Sequence, residues 1–377
     1  MNEYEEYEET YSQKEIDLIS LGKSYYENEK YEDTIDIFLE LINLNPDNYE
    51  GWHYLGMSYA QIKEYEKAIG FLLKAIEYNP EEELDWCWLG YSYNENEQYQ
   101  EAIDSLLKAV ELNPENDNNW YELGRSYNGN KQYKEAIESL LKAVELNPDD
   151  EYNWHWLAHA YFQNKQYKEM EKALLKAVEI KPDYYDCWLG LILSYKKMED
   201  FINEIETCKQ LIKLNPDDDR VWKYLGQAYY DNKQYEEAIY YLLEAIELNP
   251  ENDNNWYWLG KSYYKNKYCK KAIESLLKAV DINPDDEYNW LWLGNSYIGL
   301  KDYNNAIKSY EKGIEINSTN CNMLNNYGMA LANLNRIEEA KKYFEKALEI
   351  DSTYQLAKYN IDSLASFDIE GLRISEE

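Results

Sequence analysis

The one pairing of metal-type ligands at close spacing in this 377-residue sequence is His155 and His159, in the segment HWLAH. Residues four apart share a face of a helix, so both imidazoles could meet one ion if a third ligand approached. The segment lacks the internal Glu of H-E-x-x-H, and Asp186 is a conceivable neighbour rather than a ligand fixed by spacing. With the set incomplete, no metal, cofactor or catalytic residue is assigned, and a metal or enzymatic role for His155 and His159 is the weakest of the readings. His53 is the remaining histidine. Cys87, Cys187, Cys208, Cys269 and Cys321 are odd in number and scattered, with no C-x-x-C pair, which points to a reduced, cytoplasmic compartment. No phosphate-binding glycine loop and no Ser/His/Asp or Cys/His constellation stands out. The chain reads as non-enzymatic.

What must position these side chains is a repeat. The eight prolines are Pro46, Pro80, Pro114, Pro148, Pro182, Pro216, Pro250 and Pro284, each 34 residues from the next, and Ser318 and Ser352 continue the grid. Six residues after each proline stands Trp52, Trp86, Trp120, Trp154, Trp188, Trp222, Trp256 or Trp290. Three further on is a leucine, from Leu55 to Leu293, and the next slot is most often glycine, from Gly56 to Gly294. A tyrosine follows, from Tyr59 to Tyr297. An alanine stands sixteen after most tryptophan slots, from Ala68 to Ala340. Spacings of three and four place Trp, Leu and Tyr on one helical face, and the second half of each unit (EAIESLLKAVELNP at 135–148) has the same period. Small Gly and Ala slots let two helices approach. Proline stops the second helix, and the acidic residues after it suit the next helix's N-terminal dipole. The tryptophans are expected to be scaffold, buried between helices.

This pattern resembles the tetratricopeptide repeat family, whose 34-residue signature is W-x2-L-G-x2-Y, then Ala, then Pro. The resemblance implies an all-α fold: a right-handed superhelical solenoid of about ten antiparallel helix-turn-helix repeats with a C-terminal capping helix. The array is placed at 15–354, with repeats starting near 15, 49, 83, 117, 151, 185, 219, 253, 287 and 321. Residues 1–14 form an acidic segment expected to be mobile, and 355–377 a capping helix and tail, mobile from about 368. ELNPENDNNW recurs at 111–120 and 247–256, an offset of 136 residues or four repeats, which suggests block duplication. Two units depart from the pattern. Ala158 and Met170 fill the glycine and alanine slots at 151–184, and Ile192 and Glu204 fill them at 185–218, where Cys208 also replaces the usual Leu. A local change of curvature, or an interface, is expected near 170–208, with neutral drift as the alternative.

Composition bounds the partners. Hydrophobic residues make up 45% of the chain, enough for a core, while the net charge is -35. That charge disfavours nucleic acid and anionic membrane surfaces, and favours a protein or peptide partner of basic character. The N-terminus has no apolar leader, and no apolar run approaches the roughly 18 residues of a membrane span. The abundance of Tyr and Asn fits an AT-rich coding sequence, so their counts alone carry little.

Family resemblance also implies that the first helix of each unit lines a concave groove that takes extended peptides or partner proteins. Slots one, two and five after the tryptophan would face it. The candidate contacts are Tyr54, Trp88, Arg125, His155, Trp156, His159, Tyr224, Trp258, Trp292 and Asn295. Aromatics are common interface anchors, and packing against the adjacent first helix would use them equally well. The carboxylate-clamping pattern of the chaperone-tail binders is not reproduced: Arg125, Lys223 and Lys261 stand as isolated cations. Nor is the Asn ladder of the glycosyltransferases that carry such arrays evident. The expected function is a protein-interaction scaffold, with a self-associating spacer or homo-oligomer as the alternative.

Overall fold

A computed structural model of the chain describes residues 12–365 and 371–376. Of the ends expected to be mobile, 1–11, 366–370 and 377 lie outside the described residues. Residues 12–14 open the first helix, and 371–376 are held in place, as set out below.

The chain divides into two compact units, Met1–Ser194 and Tyr195–Glu377. The described residues of the first form antiparallel pairs: α1 (Gln13–Glu27) with α2 (Tyr31–Leu44), α3 (Tyr49–Gln61) with α4 (Tyr65–Tyr78), α5 (Glu83–Glu95) with α6 (Tyr99–Leu112), α7 (Asp117–Gly129) with α8 (Tyr133–Leu146), and α9 (Glu151–Gln163) with α10 (Tyr167–Ile180). Helix α11 (Tyr185–Lys197) contains the division. In the second unit come α12 (Phe201–Leu214), α13 (Asp219–Asp231) with α14 (Tyr235–Leu248), α15 (Asp253–Lys265) with α16 (Cys269–Ile282), α17 (Glu287–Gly299) with α18 (Tyr303–Ile316), and α19 (Cys321–Asn333) with α20 (Ile337–Ile350). The last helix, α21 (Gln355–Ala365), packs on α20. No strand occurs among the described residues, and the fold is an all-α repeat solenoid.

Local chemistry explains each turn of the chain. Seven first helices start on Asn48, Asn116, Asp150, Asp218, Asn252, Asp286 and Asn320, whose side chains accept from backbone N–H groups of the first turn. They end where one residue turns left-handed, ten times at 34-residue intervals from Glu29 (φ 59°) to Asn335 (φ 62°), and never on glycine. The following N–H then reaches back to a carbonyl five residues earlier, as Gln132 does to Tyr127 at 2.8 Å, closing the helix.

The tryptophan and proline slots are physically one device. Each of the eight indoles donates Nε1–H to the carbonyl of the proline six residues before it, at 2.7–2.9 Å. These tryptophans are half-buried, which corrects the expectation of burial: the ring braces a turn whose far side is open to water. The sealed core is made by the leucine and alanine slots, all at 2% exposure or less where Leu55 to Leu293 and Ala68 to Ala340 occupy them. The glycine slot is a close approach. A Cβ on Gly90 would stand 2.3 Å from Leu106 Cγ, and one on Gly124 2.4 Å from Leu140 Cγ.

The division between units falls in the most irregular repeat. There the large residue, Ile192, stands in the glycine slot and the small one, Cys208, in the leucine slot, both buried. Glu204, in the alanine slot, is 1% exposed and its Oε2 has no hydrogen-bond partner. Burial pushes its pKa up to about 7; Lys196 opposes the shift and Asp231 adds to it.

Candidate peptide-binding groove

In the first unit, the candidate residues mostly satisfy one another. Tyr54 stacks on Phe38, with centroids 4.8 Å apart, and meets Tyr26 and His53 edge-on. Trp88 meets Tyr91 edge-on and lines a cavity of about 340 Å³ with Leu84, Cys87, Asn118 and Glu122. A second cavity of about 340 Å³ is bordered by Asn94, Glu95, Arg125, Asn128, Trp156 and His159. Between them runs an ion network: Arg125 donates to Glu122 at 3.0 and 3.1 Å and to Glu95 at 2.8 Å, with its guanidinium 5.0 Å from the Trp156 ring centre. Glu122 is buried, and desolvation raises its pKa against the pull of Arg125.

The Nδ1 atoms of the two histidines meet different neighbours. His155 stacks on Tyr184, and its Nδ1 lies 3.4 Å from Cys187 Sγ. Burial lowers its pKa, although Asp186 pulls the other way. His159 Nδ1 lies 2.5 Å from Asn128 Nδ2. Among the described residues, no group of three His, Cys, Asp or Glu side chains is placed to hold a metal ion. A different cluster has no signature in the residue spacing: Tyr49 donates to Asp85 Oδ2 at 2.8 Å, and His53 Nδ1 lies 2.7 Å from Asp85 Oδ1, with Asp85 fully buried.

In the second unit, the cations gather. Lys261 Nζ lies 4.1 Å from the Trp258 ring centre, 4.8 Å from that of Trp292 and 5.1 Å from that of Tyr230. Burial among these rings lowers its pKa to about 8. Lys223 stands over Tyr224, and Lys196 pairs with Asp231. Trp292 is only 2% exposed, a buried side chain rather than an open contact. Asn295 reaches a backbone: its Nδ2 donates to the Ser375 carbonyl at 3.2 Å, and its Oδ1 accepts from Tyr310 and Asn326.

That contact belongs to a larger one, in which residues 371–376 cross the first helices α21, α19, α17 and α15. Asn360 embraces Arg373, accepting from its N–H at 2.9 Å and donating to its carbonyl at 2.8 Å. Asn326 does the same to Ser375, at 2.6 and 2.8 Å. Asn325 joins the pair, donating to the Arg373 carbonyl at 3.2 Å and accepting from Asn360 at 2.8 Å. Contacts on alternate residues are those of an extended strand. Leu372 and Ile374 pack against the core of the last repeats. Glu376 accepts from the Tyr264 hydroxyl at 3.2 Å and pairs with Lys265. This corrects two expectations: the tail is seated, and the last units do carry a short asparagine ladder. Asn326 and Asn360 occupy the slot two after the tryptophan position, where Trp88, Trp156, Trp258 and Trp292 stand elsewhere, so comparing that slot along the chain could have found them.

Tetratricopeptide-repeat models match residues 49–82, 124–165, 152–184, 207–240, 226–267, 254–286, 289–320 and 322–354, together well over half of the chain. The chain belongs to the tetratricopeptide repeat family. Models of anaphase-promoting complex subunit 3 and of the protein prenyltransferase alpha subunit repeat match 71–143 and 31–60. No curated protein matches this tetratricopeptide chain. Among solved structures, it is similar to the C-terminal part of a TPR repeat-containing protein from Cytophaga hutchinsonii, with 20% identity, 67% of this chain and 100% of that one covered, and a TM-score of 0.51. Yeast Tom70 aligns at 16% identity over 94% of this chain and 89% of its own, with a TM-score of 0.47. YrrB, a TPR protein with an unusual peptide-binding site, aligns at 22% over 50% of this chain and 96% of its own, with a TM-score of 0.43. At these identities the likeness is one of fold. No described helix is long and apolar enough to cross a membrane.

Proposed function

We propose that this protein is a non-enzymatic scaffold that binds an extended segment of a partner protein across its first helices. One observation carries the reading: in the second unit, Asn326 and Asn360 each hold both backbone groups of one residue of an extended segment. Peptide bonds in a groove must have their N–H and C=O groups satisfied, and paired amides do this for any sequence. The net charge of -35 steers basic segments toward the molecule, while the lysines of the second unit favour a carboxylate at the point of contact. Five free cysteines fit a reduced, cytoplasmic setting. Panning a displayed peptide library on the full chain tests the reading. Enriched peptides should lose binding to Asn326→Ala and Asn360→Ala variants whose circular dichroism shows the repeats still folded. Enrichment indifferent to both substitutions would refute it.

A second reading, self-association, is favoured by a stripe on the second helices of the first unit. Leu73, Leu107, Leu141 and Leu175 recur every 34 residues, each 43–45% exposed. Sedimentation at rising concentration should then show a mass increase that Leu107→Glu with Leu141→Glu abolishes.

A further inference from the structure

We propose that residues 371–376 are a built-in competitor that occludes the groove of the last repeats, and that the partner is an extended segment of the same chemistry: apolar, any residue, apolar, small, acidic. This rests on the peptide-binding reading above and deepens it.

The pattern follows from what each position touches. The backbone of Arg373 and Ser375 is held by side-chain amides, a grip that by itself reads no side chain. Arg373 itself points outward, 4.4 Å from the Tyr359 ring centre, and is exposed. Leu372 and Ile374 lie against the apolar core. Ser375 is 7% exposed, so a large side chain there has to displace its neighbours. Glu376 meets one hydroxyl and one ammonium, a site for a carboxylate.

The groove is also unsuited to standing open. Asn295, Asn325, Asn326 and Asn360 are fully buried, and their amides are satisfied by one another and by this segment. Removing the segment strips partners from these four amides, and an equivalent peptide backbone offers the same donors and acceptors in their place. The segment is tethered to α21 by five residues, 366–370, so it acts at an effective concentration in about the millimolar range. A partner with the same pattern must overcome that competition, which makes the intact chain a weaker binder than one whose segment cannot seat.

The test uses the full chain and a fluorescein-labelled peptide GLRISE, acetylated and amidated, followed by anisotropy. In the Ile374→Asp, Ser375→Trp chain, the free groove should bind the peptide at least tenfold more tightly than wild type. Asn326→Ala with Asn360→Ala in that background should abolish binding, with melting measured alongside to show that the repeats stay folded. Peptides GLRIWE and GLRISK should bind at least tenfold more weakly than GLRISE. Equal affinity of wild-type and unseated chains, with binding still lost in the double asparagine variant, would overturn occlusion and leave the groove reading standing. Equal binding of GLRISE, GLRIWE and GLRISK would overturn the partner chemistry. A wild-type dimer in sedimentation that the unseating substitutions dissolve would place the segment in a second copy and overturn the intramolecular competitor.

Discussion

The inner faces of the two units are built on the same slots and differ in what their polar groups reach. In the first, Arg125 is spent on Glu95 and Glu122, and Asn128 lies against His159. In the second, Asn326 and Asn360 reach the backbone of another segment, and Lys265 reaches its carboxylate. A tryptophan or glutamate two residues after the repeat tryptophan offers a surface or a charge, and is selective for side chains. An asparagine there offers a donor and an acceptor side by side, and grips any peptide bond. One residue per repeat thus changes which polar groups that slot presents, on the same helix pair.

The largest effect expected from breaking this contrast is at the ion network of the first unit. Arg125→Ala leaves Glu122 buried without its cation and should cost about 3–5 kcal/mol, seen as a lowered urea midpoint. Glu122→Met with Arg125→Met should recover most of that loss. A cost below about 1 kcal/mol for Arg125→Ala would mean that the network is solvated and the contrast false.

Glu204 in the second unit sharpens the same point, being a buried carboxylate with no such guanidinium. Its folded pKa of about 7 exceeds the ordinary value of 4.5, so the folded state holds the proton more tightly. Stability is full below pH 4.5, falls as pH rises through about 7, and then levels. Glu204→Gln should raise stability above pH 7 by about 3 kcal/mol and flatten the dependence between pH 5 and 8. Parallel urea titrations of the two chains over that range check it, and identical slopes would show that Glu204 is hydrated.

Smaller again is Asn326→Ala. It removes both bonds to Ser375, one to Asn295 and one from Asn325, and should cost about 1–3 kcal/mol, confined to the last repeats. Hydrogen exchange should report it there and leave the first unit unchanged. The smallest effect should not distinguish the units at all. Lys131→Gly and Lys267→Gly relieve the same left-handed turn and should each stabilise by about 0.5 kcal/mol in thermal melts. A clear inequality would show that the turns differ in strain.

The scaffold was legible because it repeats. Leucine, glycine and alanine slots recur at the helical period, and the chain aligned on itself separates them from drift. The tryptophans misled by size: a large aromatic suggests burial, whereas here its N–H secures a turn and its ring stays half open. Asn326 and Asn360 were hidden by the abundance of asparagine, since only two of many sit in the slot that matters. The tail reads as mobile because a short chain end has no helical periodicity of its own. What holds it is contact with residues 13 to 112 positions away, which local pattern cannot reveal.

Hydrogen exchange at two backbone amides measures the central point most directly. The N–H groups of Arg373 and Ser375 are donated to Asn360 and Asn326. In the full chain both should exchange at least tenfold more slowly than in the free peptide GLRISE, and Asn326→Ala should release Ser375 first. Exchange of both amides at the free-peptide rate would contradict the seated segment, and with it the groove that it defines.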